Sequence, residues 1–141
     1  MKQNAIFALG IVIGLFALLP SHAHAGADCQ NATTQLQLDE CAGASYAKSD
    51  KALNKVYREI LSRLKGPSET KTDLIAAQRA WLKYRDAECK FEVSGLDGGS
   101  VQPMIYSQCL DALTQSRTKG LSQFLDCSDG TLNCPIPRKG N

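Results

Sequence analysis

Few residues in this chain have both the type and the spacing for covalent chemistry. Ser45 stands three positions before Lys48, and the S-x-x-K spacing recurs at Ser68–Lys71 and Ser116–Lys119. On a helix this places an amine beside a hydroxyl it could activate, as in serine acyl-transfer enzymes of the penicillin-binding type. Three occurrences without the companion S-D-N or K-T-G mark coincidence. No G-x-S-x-G elbow or phosphate-cradling glycine loop is present, and the Gly98-Gly99 pair is isolated. The carboxylates single out no pair for glycoside hydrolysis.

The cysteines and histidines narrow the chemistry further. His22 and His24 both lie in an N-terminal stretch with the marks of a cleavable signal. Lys2 opens it, an apolar run follows from Ala5 to Leu19, Pro20 breaks the run, and Ala23-His24-Ala25 offers small residues to a signal peptidase. Residues 1–25 are therefore expected to be removed after Ala25, leaving a mature chain without histidine. Histidine-dependent triads, histidine metal sites and imidazole switches are then excluded. Six cysteines remain: Cys29, Cys41, Cys89, Cys109, Cys127 and Cys134. An even number in a small exported chain, without a C-x-x-C metal pair, reads as disulfides. The expectation is a periplasmic or secreted non-enzyme with no cofactor and no metal.

Charge argues about partners. Without Lys2 the chain carries fifteen basic and fourteen acidic residues, near neutrality. A nucleic-acid binder would show a basic stripe, so nucleic acid is not expected as a partner. Stable membrane insertion after signal cleavage is not expected either, since the apolar run is short for a span and leaves with the signal.

The elements that must position these residues read as helices. Thr34-Gln35-Leu36-Gln37 fits a capping box, and Leu53, Val56, Tyr57, Ile60, Leu61 and Leu64 repeat at three and four. Gly66-Pro67 ends this helix, and Ser68 or Thr70 can cap the next, expected from about Glu69 to Val93. Leu74, Ile75, Ala77, Trp81, Leu82, Tyr84 and Phe91 are its expected apolar surface. A glycine-rich loop follows, and Pro103 suits the first turn of a third helix carrying Leu110, Leu113, Leu121, Phe124 and Leu125. No segment alternates with period two. The fold class is all-α: a small bundle of about three main helices stapled by disulfides, with a short irregular C-terminal tail. The division is 1–25 signal peptide, 26–126 helical domain, and 127–141 disulfide-closed loop and tail, disordered from Pro137. Six cysteines allow fifteen pairings. Nearest-neighbour pairing best suits the layout, with Cys89 and Cys109 facing across a helical hairpin.

Two helix faces carry unexpected polar residues. Gln78, Trp81, Arg85 and Cys89 share one stripe, and Asp50, Leu53, Asn54, Tyr57 and Leu61 share another. A half-buried Arg85 needs a carboxylate. Asp50 is the expected partner, with Asn54 and Gln78 completing a structural polar network beside Trp81 that fixes helix register.

The run Thr34-Gln35, Cys41, Tyr46, Asp50, Leu53-Asn54, Tyr57, then Gln78-Arg79-Ala80-Trp81, Arg85-Asp86, Cys89, then Gly98-Gly99-Ser100, Cys109, Leu113-Thr114 and Arg117 resembles the LprI-type lysozyme-inhibitor family. The likeness covers roughly residues 28–125. It implies a small exported helical domain without catalysis, some of whose relatives inhibit lysozyme. Cys127 and Cys134 lie beyond the family pattern.

If lysozyme is the partner, the expected contact is the segment Glu92 to Ser100. Between Asp86 and Ser100, the acidic Asp86, Glu88, Glu92 and Asp97 outnumber Lys90, and an acidic loop complements a basic enzyme. Glu92, Asp97 and Ser100 are the candidate partner-binding residues. A second acidic patch, Asp28, Asp39, Glu40 and Asp50, is the alternative surface. The competing reading of function is a periplasmic interaction or envelope-stress module that binds another envelope protein or a cell-wall fragment.

Overall fold

A computed structural model describes residues 29–127 and 132–136. The proposed signal peptide, its cleavage site after Ala25, Asp28 and the tail from Pro137 lie outside the described residues. Among the described residues three helices make the fold: α1 (Gln35–Arg63), α2 (Glu69–Glu92) and α3 (Gln102–Leu125). No strand occurs among the described residues. None of the three helices is long and apolar enough to cross a membrane.

Local chemistry sets the helix ends. The Thr34 hydroxyl accepts from the Gln37 N–H, and the Gln37 side chain accepts in return from the Thr34 N–H at 3.1 Å. These bonds satisfy donors that a bare helix start would leave open. After α1, Gly66 adopts a φ of 71°, a left-handed conformation that side-chain-bearing residues resist, and turns the chain. Ser68 then accepts from the Lys71 N–H to cap α2. Pro103 occupies the first turn of α3, where its missing N–H costs nothing.

The helices run up, down and up. Ser45 reaches Asp111 and Arg63 reaches the carbonyl of Leu125, so α1 and α3 are parallel and α2 is antiparallel to both. α1 and α3 share the most extensive contact, and α2 leans mainly on α3. Three disulfides staple the bundle: Cys29–Cys41, Cys89–Cys109 and Cys127–Cys134. The first ties the N-terminal segment to α1, and the second ties the end of α2 to α3.

Two apolar clusters form the interior. One joins Leu53, Ile60, Leu64, Leu121 and Ile136, with Leu74, Trp81 and Leu125 packed against it. The other surrounds the Cys89–Cys109 bridge with Leu110, Tyr46, Tyr106 and Leu113. Two details depart from the sequence reading. Ile136, in the C-terminal segment expected to be irregular, is buried in the main cluster. Ala77, Tyr84 and Phe91, expected to pack, are exposed. The apolar residues of α2 span a wider arc than its neighbours can cover, so only the side bearing Leu74 and Trp81 is packed.

Candidate functional site

Arg85 lies between the two clusters. Its side chain is only 8% exposed, a costly position for a charge unless partners compensate. Asp86 Oδ1 accepts a hydrogen bond from Nε at 2.9 Å and forms an ion pair with Nη2 at 2.8 Å. Nη1 lies 3.6 Å from Asp50 Oδ1, an ion pair without a hydrogen bond, and remains buried without an acceptor. The rings of Tyr46 and Trp81 flank the guanidinium at 5.5 and 5.3 Å, within reach of cation–π attraction.

A second arginine completes the layer. Arg117 of α3 stands 5.8 Å from the Trp81 ring and donates from Nε to Gln78 Oε1 at 3.1 Å. Trp81 is thus contacted by two guanidinium groups. Burial lowers the pKa of Arg117. Burial also raises the Tyr46 phenol, an effect Arg85 opposes and Asp50 and Asp86 reinforce.

The structure therefore brings Asp50, Asn54, Trp81 and Arg85 together but distributes their bonds differently from the sequence reading. Asp50 receives a hydrogen bond from Asn54 Nδ2 at 2.8 Å. The arginine's own hydrogen bond goes to Asp86, and Gln78 serves Arg117 instead. Helical spacing gives no signal for Asp86, because adjacent residues on a helix do not face one another. The long arginine side chain folds back and defeats that rule.

Beside this layer α1 and α2 diverge. An open groove of about 350 Å³ separates them, lined by Asp50, Asn54, Tyr57, Gln78, Arg79 and Leu82 among others. Polar groups line it from both helices, and the buried Leu53 contributes to its apolar side. The face between α1 and α3 is tied differently. Ser45 Oγ donates to Asp111 Oδ2 at 2.7 Å. Burial alone would raise the pKa of Asp111, but the side chains of Ser49, Gln115 and Ser45 outweigh it and hold the carboxyl below its ordinary value. Ser45 makes the direct hydrogen bond to this carboxylate, whereas the Ser49 hydroxyl, which lies close by, directs its proton to the carbonyl of Tyr46 at 3.0 Å, and Asp111 Oδ1 is buried without a hydrogen-bond partner.

Two serines of the S-x-x-K pattern thus have structural tasks, Ser45 at Asp111 and Ser68 as the cap of α2. No cluster of three metal-binding side chains occurs among the described residues.

The connection between α2 and α3 is a folded turn. Leu96 N–H donates to the carbonyl of Val93, Gly99 to Leu96 and Gln102 to Gly99. Gly98 takes a φ of 77°, which favours glycine. Val93 is buried below, and the Cys89–Cys109 bridge closes the base. Glu92, Asp97 and Ser100 are all exposed. Asp97 accepts a long 3.3 Å hydrogen bond from Gln102.

An uncharacterised protein of Rhizobium meliloti (strain 1021) is 34% identical to this chain over 113 residues, spanning 72% of this chain and 81% of the relative. No solved structure gives a significant match. The model of the lysozyme inhibitor LprI family matches residues 27–121, through most of α3. The chain belongs to the lysozyme inhibitor LprI family.

Proposed function

We propose that this protein is an exported, non-catalytic lysozyme inhibitor that blocks the enzyme's cleft with the turn from Glu92 to Ser100. The family match over residues 27–121 carries this reading. Family and disulfides together support a location in the periplasm or outside the cell. Cleavage after Ala25 completes that route.

The turn supports the reading in two ways. It presents exposed carboxylates at Glu92 and Asp97, which suit a basic enzyme surface. Its internal hydrogen bonds and the bridge at its base also order it before binding, so little conformational freedom is lost on contact. The contact itself is steric: the turn occupies sugar subsites and no bond is made or broken.

Turnover of cell-wall substrate by lysozymes of several classes, with and without the purified chain, tests the reading. Inhibition of at least one class is expected, and Glu92→Ala with Asp97→Ala should weaken it roughly tenfold or more, as when central contacts are truncated. Inhibition unaffected by the double variant removes the turn from the mechanism. Failure against every class rejects the function.

A further inference from the structure

The outer face of α2 has no partner among the described residues. Tyr84 and Phe91 are 53% and 76% exposed. They stand two helical turns apart on one side of the helix. Ala77, Ala80 and Ala87 are exposed as well. Together Ala77, Ala80, Tyr84, Ala87 and Phe91 alternate spacings of three and four, the a/d pattern with which helices pack seam to seam. Gln78, Arg85 and Cys89 are buried on the roughly opposite side, so the bundle cannot cover this stripe itself.

The flanking charges indicate what covers it. With Ala77, Tyr84 and Phe91 at a, and Ala80 and Ala87 at d, Lys83 and Lys90 fall at g and Glu88 at e. All three are exposed and none has an ion-pair partner within the described chain. Between parallel helices, a g residue faces the e residue five positions later on its neighbour. Lys83 of each copy would then face Glu88 of the other, twice by symmetry. An antiparallel pair sets g against g and brings lysine to lysine. Alanine at three of the five seam positions allows the backbones to approach closely, and Tyr84 and Phe91 would each pack against their own counterparts. The next seam position toward the N-terminus is Asp73, exposed and charged, which ends the stripe there.

We propose that this stripe is a self-recognition surface: α2 of one chain packs parallel to α2 of a second copy about a two-fold axis. The dimer uses a different surface from the turn assigned to lysozyme and sets both turns at the same end. Its failure would leave the lysozyme reading standing.

Sedimentation velocity on the purified, disulfide-intact exported chain over a concentration series tests the proposal. A shift from monomer mass to twice that mass is expected. Lys83→Glu and Glu88→Lys each create two like-charge contacts, and each alone should raise the concentration for half-dimerisation roughly tenfold. Mixing the two single variants restores both attractive pairs, so a one-to-one heterodimer should form at wild-type concentrations. Phe91→Asp should leave only monomer. Circular dichroism should be unchanged throughout, because the altered side chains are exposed. Monomer at every concentration overturns the proposal, as does a dimer indifferent to the charge exchange. Wild-type chain that stays monomeric while lysozyme protects this face would assign the stripe to lysozyme and overturn it equally.

Discussion

Arg85 shows why a buried charge is judged by what its loss strands. The side chains of its two carboxylate partners are 38% and 55% exposed, whereas the arginine side chain is 8% exposed. Replacing Asp50 and Asp86 together with alanine leaves a cation in the interior with only aromatic faces for compensation. That double variant should lose about 2–4 kcal/mol in urea unfolding. Arg85→Met keeps the bulk, removes the charge and leaves two carboxylates that water can solvate, so it should cost less than half as much. A larger loss for Arg85→Met would mean that the ion pairs themselves stabilise the fold. At this scale the sequence disclosed which residue types share a face, because helical spacing is arithmetic. It pointed to Asp50, which the arginine meets as an ion pair, but not to Asp86, which takes its hydrogen bond, since that depends on side-chain torsions and on the distance between helices.

Between elements, the contact of α1 with α3 includes a titratable tie. Asp111 of α3 accepts from Ser45 of α1, and its surroundings hold its pKa below that of an ordinary carboxylate. In the window between the folded and unfolded values, below about pH 4, the unfolded chain binds a proton that the folded chain does not. Stability from this group is therefore present above that window and is lost as pH falls through it. Asp111→Asn should flatten the acid limb of the stability curve, measured by thermal melts from neutral to low pH. An unchanged acid limb would assign it to other carboxylates. Helix limits were readable from sequence because caps are local: Thr34 with Gln37, Ser68, Gly66 and Pro103 act within a turn of their own positions. The packed face of α2 was less readable. Its apolar residues nearly encircle it, and only the position of its neighbours decided that Tyr84 and Phe91 stay outside.

For the molecule as a whole, few side chains are fully buried, with Leu53, Ile60, Leu121, Thr114 and Cys89 the largest of them among the described residues. A core of this size stabilises only modestly, so the crosslinks carry a large share. Cys89–Cys109 closes a longer loop than Cys127–Cys134, with separations of 20 and 7 residues. Paired alanine replacement at Cys89 and Cys109 should lower the unfolding free energy by about 2–4 kcal/mol, exceeding the loss at Cys127 and Cys134 by about 1 kcal/mol. Urea titration of the two variants checks the order, and the reverse order would show that the C-terminal loop matters more than chain entropy allows.

Composition, spacing and caps determined a helical, disulfide-rich chain with its helices bounded almost to the residue, because those signals act over one or two turns of backbone. The shared motif positions also pointed to the family. Tertiary structure alone decided that α1 and α2 diverge around a groove, that Asp86 and Asp50 divide Arg85 between them, and that Ile136 returns to the core. Each depends on where distant segments meet in space, and local periodicity contains no measure of that distance.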